Sequence, residues 1–344
     1  MKILCKNRIN VSFESSEILL DPTVVKPEVS SIFVSHAHYD HLPKSRKKPL
    51  KVPPTVCSKA TARLFKERIG YDLNQKDSWE NDEYILEALP GGHTFDSTVA
   101  KITNKENGEV TVYTGDVNLE DRAYLTGFKP IKCNTLILEA TWGDKNYRFP
   151  PYKQQVRLAR EYIQNQLEQG NPVALLGYAL GKAQLLNYSF GDLCEERFSS
   201  NSIWKMEQTH VELGLDLHPT KLLNNDQLDS NLGNSDPWLL FYSNSGRKDK
   251  TLAYLKEKYN LKVIGFSGWA RNQERYKYQM GADAAFVVSD HSDYDNLLQI
   301  IKRSSPEKVF TVFGEANVLA RELQKDGINA VPLKKGQATL ESFF

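Results

Sequence analysis

The stretch Val34-Ser35-His36-Ala37-His38-Tyr39-Asp40-His41 decides how the rest of the chain is read. It places three imidazoles and a carboxylate within six residues, directly after the apolar segment Ser31 to Val34. Side chains on an extended segment alternate with a period of two, so His36 and His38 point to the same side. Zinc favours neutral imidazole nitrogen and carboxylate oxygen, and this is the composition of a metal site. Asp40 and His41, one turn further on, can face a second ion.

Two segments downstream complete the set. Leu89-Pro90-Gly91-Gly92-His93 delivers a histidine from a glycine turn after a strand, and Tyr113-Thr114-Gly115-Asp116 delivers a carboxylate at a strand end. His36, His38, His93 and Asp116 then make one set of four ligands. Asp40, His41 and Asp116 make a second, with Asp116 able to bridge two ions. Asp21, also at a strand end, is read as orienting a ligand from behind.

At 344 residues the chain can bury a full core as two domains or one large layered domain. Cys5, Cys57, Cys133 and Cys194 show no C-x-x-C spacing, which argues for a reducing compartment and against a cysteine zinc site. No apolar run approaches the roughly 20 residues of a membrane span, and a cytoplasmic protein is expected. Basic residues (44) nearly cancel acidic ones (43), so global charge is silent about a polyanionic partner.

The first third alternates apolar strands with turns: Glu17 to Leu20, Ser31 to Val34, Tyr84 to Leu89, Val99 to Ile102, Val110 to Tyr113 and Thr135 to Leu138. One helix interrupts them, with Ser58 as N-cap, Ala60, Leu64 and Phe65 on one stripe and Gly70 at the C-cap position. From about Tyr152 a helix (Gln155 to Gln169), the strand Val173 to Leu176 and a tight turn into another helix signal a doubly wound texture. After a polar loop, Leu222 to Ser235, come the strands Trp238 to Tyr242 and Lys262 to Phe266. A third region (Ala284 to Val288, Val309 to Phe313, a helix near Asn317 to Lys325) regains the opening rhythm, as a domain inserted in a domain would.

The order of Asp21, the His36 to His41 run, Gly92-His93 and Thr114-Gly115-Asp116 resembles the metallo-β-lactamase fold family. The resemblance implies a four-layer αββα sandwich with its ions at one edge. Leu136-Ile137-Leu138-Glu139-Ala140-Thr141-Trp142 and Ser289-Asp290-His291-Ser292-Asp293-Tyr294 resemble motifs A and B of the β-CASP nucleases, which implies an inserted α/β domain. In that reading residues 1–150 and 261–336 form the sandwich and 151–260 the insertion. Glu139 would orient His291, and His291 would act as general acid with Asp40 orienting the attacking water. Gly177 to Gln184 is similar to the β-CASP turn where Lys182 could receive phosphate. RNA-cleaving members carry a histidine where this chain has Phe313, before Gly314-Glu315. Its loss implies one tightly held zinc and a conditional second ion, with manganese or magnesium possible there.

Artemis-like DNA nucleases also lack that histidine and carry Thr-Gly-Trp where this chain has Ser267-Gly268-Trp269. DNA is therefore expected over RNA, with Lys44, Arg46, Lys47, Lys48, Arg271, Arg275 and Lys277 as phosphate contacts and Trp269, Tyr276 and Tyr278 among the aromatics. The chain ends Gln337-Ala338-Thr339-Leu340-Glu341-Ser342-Phe343-Phe344, which resembles the peptide that docks on the DNA sliding clamp. In one helical turn Leu340, Phe343 and Phe344 gather as an apolar plug, with Gln337 in a neighbouring pocket. The expectation is a zinc-dependent 5′-to-3′ DNA exonuclease recruited by the clamp, archaeal in character and nucleoid-associated. An RNA-processing nuclease and an inactive clamp-bound factor are the alternatives.

Overall fold

Short apolar runs ended by turn residues give the chain its strands. The computed structural model describes residues 1–5, 9–43, 47, 49–224, 236–243 and 246–333. Elements are numbered in chain order. Contacts divide the chain into two units, one of residues 1–120, 126–148 and from His291 onward, the other of residues 121–125 and 149–290.

The first unit holds two sheets. One contains β1 (Lys2–Cys5), β2 (Ile9–Ser12), β3 (Glu17–Leu20), β4 (Ser31–Phe33), β5 (Pro54–Val56) and β6 (Asn74–Lys76) in sequence order. The other contains β7 (Ser78–Glu80), β8 (Tyr84–Pro90), β9 (Thr98–Asn104), β10 (Val110–Tyr113), β11 (Thr135–Glu139), β18 (Lys308–Val312) and β19 (Ala330–Pro332), in the order β19-β18-β11-β10-β9-β8-β7. From β10 onward its pairings are parallel, and the late strand β18 seats against β11 with Ile137 opposite Phe310.

The sequence of β11 shows why this sheet is buried on both sides. Ile137 points into a core shared with the first sheet, among Val11, Ile18, Phe33, Leu86 and Phe310. Leu136 and Leu138, one residue out of phase, join Leu297, Ile300 and Ile301 of α7 (Tyr294–Ser304) and Leu319 and Leu323 of α8 (Ala316–Lys325). A continuous apolar run is what such a strand requires, and each fully buried Leu or Ile contributes about 1.5–3 kcal/mol. α1 (Lys59–Ile69) has the expected caps: the Ser58 hydroxyl accepts from Thr61 N–H at 3.0 Å, and Gly70 turns left-handed at φ 98°. The first unit is an α/β sandwich.

The second unit is a parallel sheet of β12 (Val173–Gly177), β13 (Arg197–Ser199), β14 (Lys221–Leu222), β15 (Leu239–Ser243), β16 (Lys262–Phe266) and β17 (Ala284–Phe286), in the order β14-β13-β15-β12-β16-β17. Val173 and Leu175 of β12 pack with α2 (Tyr152–Glu168) and α3 (Lys182–Phe190). Ala174 and Leu176 face the other way, toward Leu252 and Leu255 of α5 (Lys250–Tyr259). α4 (Asn201–Glu212) and α6 (Gln273–Met280) complete the described α-helices.

Residues 261–290 differ from their sequence assignment. They were expected in the returning part of the sandwich, but β16 pairs with β12 and β17 with β16, so they lie in the second unit. The segment expected as a strand through Val288 is extended in the sheet only to Phe286. Among the described residues no helix is long and apolar enough to cross a membrane.

Candidate metal centre

Every histidine of the opening run lies in the first unit, on the extended chain that leaves β4 and in the short 3-10 turn Tyr39–His41 after it. His36 and His41 are buried, His38 is half-buried, and the Asp40 side chain is 75% exposed. Two glycine turns bring the remaining donors to them. Gly92 sits at φ +73°, where a Cβ would meet the Asn118 carbonyl oxygen at 2.6 Å, so the turn before His93 closes only with glycine. Gly115 sits at φ +53° with Ser35 Cβ 2.5 Å from where its own Cβ would be, which lets the strand end carrying Asp116 pass against the histidine segment.

The four expected donors converge. His38 Nδ1 lies 3.0 Å from His36 Nε2 and 3.2 Å from His93 Nε2, while Asp116 Oδ2 lies 3.5 and 3.7 Å from those same two nitrogens. An ion bound tetrahedrally by bonds of about 2.0–2.1 Å spaces its ligands about 3.3 Å apart. The observed edges bracket that value, so the four residues fit a single metal ion, and all four donor atoms lie within 4.8 Å of one another.

A hydrogen bond behind the cluster fixes which nitrogen His36 presents. Asp21 is fully buried and accepts from Ser35 N–H at 2.7 Å, from the Ser35 hydroxyl at 2.7 Å and from the Tyr113 hydroxyl at 2.7 Å. Its Oδ2 also lies 2.8 Å from His41 Nδ1. The Ser35 hydroxyl has one hydrogen and spends it on Asp21, so at 2.9 Å from His36 Nδ1 it can only accept. His36 therefore carries its hydrogen on Nδ1 and turns the Nε2 lone pair inward, as a metal ligand must. Burial, followed by the neighbouring His41, His38 and His93, holds the His36 pKa well below the usual histidine value, which keeps the ring neutral. Asp21 itself adopts φ 44°, a left-handed backbone that aspartate enters more readily than most residues.

His41 Nε2 lies 3.3 Å from Asp116 Oδ1 and 3.5 Å from Asp40 Oδ2, so the three residues expected around a second ion are neighbours. Burial opposes charge on His41, but Asp116 and Asp21 outweigh it and hold its pKa well above the ordinary value. Burial likewise opposes ionisation of Asp116, yet His41 and His291 keep its pKa well below the usual carboxylate range. The Phe313 ring meets His41 edge-on at 5.4 Å, from a residue at φ 62°.

Glu139 and His291 also meet, and they do so within the first unit. His291 Nδ1 is 3.0 Å from both carboxylate oxygens of the fully buried Glu139, and its ring centroid is 4.6 Å from that of His93. Glu139 also accepts from Val117 N–H at 2.7 Å and from the Thr141 hydroxyl. Asp116, Glu139 and His291 form a second group of donors within 4.8 Å, a grouping that sequence reading did not anticipate. Ser35, Tyr113 and Thr141 carry no assignment from the sequence either, although each lies within three residues of an assigned one.

The expected nucleic-acid contacts fare differently. In the second unit Trp269 is 56% exposed and Arg271 is exposed. Lys182 is buried instead: its ammonium donates to the Val288 carbonyl at 2.6 Å and pairs with Asp290 at 2.9 Å. A lysine so engaged is a buried strut rather than a surface phosphate contact. Burial lowers its pKa, with Asp290 opposing. Tyr276 is also buried, whereas Tyr278 is exposed beneath Arg247. Lys44, Arg46, Lys48 and the tail residues Gln337, Leu340, Phe343 and Phe344 lie outside the described residues.

No protein-family model matches the chain. Among curated proteins it is 26% identical over 312 residues to a probable DNA ligase of Opitutus terrae, covering 87% of this chain and 28% of that protein. It is 24% identical over 218 residues to probable RNase MJ4 of Methanocaldococcus jannaschii (53% of this chain, 49% of that one). It is 26% identical over 188 residues to ribonuclease TTHA0252 of Thermus thermophilus (47% and 42%). The chain thus spans under a third of the ligase-named relative and no more than about half of the ribonucleases. A crystal structure of a protein of unknown function from Enterococcus faecalis superposes with a TM-score of 0.62 over 98% of this chain and 99% of that one, at 14% identity, a likeness of fold.

Proposed function

We propose that the chain is a metal-dependent nuclease of the metallo-β-lactamase/β-CASP type that hydrolyses phosphodiester bonds in DNA. The observation that carries this reading is the convergence of donor atoms of His36, His38, His93 and Asp116 within 4.8 Å of one another, beside a histidine, His291, whose Nδ1 is held by a buried carboxylate. Relatives named as ribonucleases support nucleic-acid hydrolysis, and the relative named as a DNA ligase favours DNA. Zinc is the proposed ion at the four-residue set, with a second, conditional ion near Asp40, His41 and Asp116.

When bound, zinc supplies Lewis-acid polarisation and a nucleophile at neutral pH. The chain's own residues handle the protons. Asp40, exposed and next to His41, orients the attacking water toward phosphorus and takes the proton that the water gives up. As the new P–O bond forms and the old one breaks, the leaving oxygen takes a proton from His291 Nε2. Glu139 accepts a hydrogen bond from His291 Nδ1–H, which stays on the ring, and holds it for that transfer. A 5′-to-3′ exonuclease on single-stranded or frayed ends is the proposed mode. The tail from Gln337 to Phe344 is the proposed clamp-docking element.

The test is digestion of 5′- and 3′-labelled single- and double-stranded DNA and RNA by the zinc-loaded protein. Degradation that survives the double substitution Asp40→Ala/His41→Ala overturns the mechanism. Preference for RNA strands would move the substrate to the RNA-processing alternative. A protein that retains zinc but cleaves nothing would be the inactive clamp-bound factor. Undiminished clamp association after deletion of residues 337–344 would remove the tail's role.

A further inference from the structure

We infer that Tyr178 and Trp269 form a stacking platform for unpaired nucleobases, set at the point of the second unit's sheet where the chain reverses its winding. This deepens, and rests on, the nuclease reading above. The sheet order β14-β13-β15-β12-β16-β17 makes β12 and β16 neighbours, paired in parallel with Leu176 opposite Gly265. The chain leaves β12 through α3 toward β13 on one side, and leaves β16 through α6 toward β17 on the other. In open parallel sheets, connections that diverge in this way open a crevice at the carboxyl ends of the two strands, where ligands bind.

An exposed aromatic follows each of these strands. Tyr178, the first residue after β12, is 58% exposed, and Trp269, three residues after β16, is 56% exposed in the 3-10 turn Gly268–Arg271. Neighbouring strands run about 4.8 Å apart, so the two rings rise from adjacent loops rather than from scattered surface positions. Exposed Arg271 ends the same turn and supplies a cation for a backbone phosphate.

The packing of β16 beneath these loops adds a further observation. A Cβ at Gly265 would meet the Tyr276 ring at 2.4 Å, so the absent side chain makes room for that ring against β16. The Tyr276 hydroxyl is buried there beside the Ser267 side chain, two residues before Trp269. Tyr178 is close enough to Tyr276 to add to the rise that burial causes in its pKa. Aromatic rings stack on any base, and losing one such ring costs about five- to a hundred-fold in affinity. The occupant that uses two exposed rings and a cation together is a single strand with its bases turned out.

The experiment is fluorescence anisotropy on the full zinc-loaded chain, with a short cleavage-resistant phosphorothioate strand and with the same backbone lacking its bases. Wild type should bind the base-bearing strand at least about ten-fold more tightly. Tyr178→Ala and Trp269→Ala should each remove most of that preference, while Tyr178→Phe and Trp269→Phe should keep it. Both positions are exposed, so unchanged melting temperatures verify the fold of the variants. Alanine variants that retain the full preference, in a protein that still cleaves DNA, overturn the platform alone. Wild type that neither binds nor cleaves any strand overturns the nuclease reading and the platform with it.

Discussion

The Ser35 hydroxyl donates to Asp21 and accepts from His36 Nδ1, so a serine between a carboxylate and a histidine sets the tautomer of a proposed metal ligand. Ser35→Ala should weaken zinc binding by about ten-fold, because partners behind a ligand histidine contribute on that scale. Competition with a chelator measures it. Tyr113→Phe, which removes one of the donors to Asp21, should weaken zinc in the same direction and to a smaller extent.

In the proposed mechanism Glu139 serves proton delivery rather than the four-residue donor set. Glu139→Gln should slow cleavage by about a hundred-fold or more, the range expected when a general acid is misplaced. Zinc content by elemental analysis should stay at the wild-type level. Lost zinc would instead place Glu139 among the groups that hold the metal.

Phe313 occupies the position where RNA-cleaving relatives by resemblance carry a histidine, and its ring already lies against His41. Phe313→His should raise the stoichiometry of tightly bound metal from one ion toward two. Elemental analysis after gel filtration reads the outcome directly.

Asp290 faces two buried cations, Lys182 at 2.9 Å and Arg122 at 3.2 Å. Asp290→Asn leaves both charges uncompensated and should cost about 3–5 kcal/mol of stability. Replacing Lys182 and Asp290 together by Met and Leu should cost less than Asp290→Asn, since one of the two cations leaves with the carboxylate and only Arg122 loses its partner there. Urea unfolding compares the two variants.

Glu207 in α4 is buried and accepts from Asn187 Nδ2–H at 3.0 Å and the Thr220 hydroxyl at 2.7 Å, yet burial still raises its pKa. The folded state then holds the proton more tightly than the unfolded chain. Stability conferred at low pH is lost as pH rises from the ordinary glutamate range through the raised value. Glu207→Gln should flatten that decline in melting temperature between acidic and neutral pH.

Much of this molecule is legible in its sequence because the deciding signals are local. Ser58 and Gly70 bracket α1, and period-two spacing with glycine turns marks His36, His38, His93 and Asp116. What was missed depends on pairing at a distance. Lys262–Phe266 reads as an apolar strand in any sheet, and only its bonding to β12 assigns it to the second unit. Lys182 at a turn looks solvated until Asp290, more than a hundred residues later, is found beside it. Tyr113 carries no motif of its own, and its place under Asp21 follows from β10 lying beneath the histidine segment.

The seat of β18 between β11 and β19 also dictates an order of events on the ribosome. Residues 149–290 emerge before Lys308–Val312, so the parallel sheet of the second unit has all its strands while the sandwich still lacks two of its own. Glu139 then waits at the unprotected flank of β11 for His291 to leave the exit tunnel. Slowed elongation beyond residue 290 would prolong exposure of that apolar strand, making this the interval of synthesis in which the nascent chain most needs a chaperone.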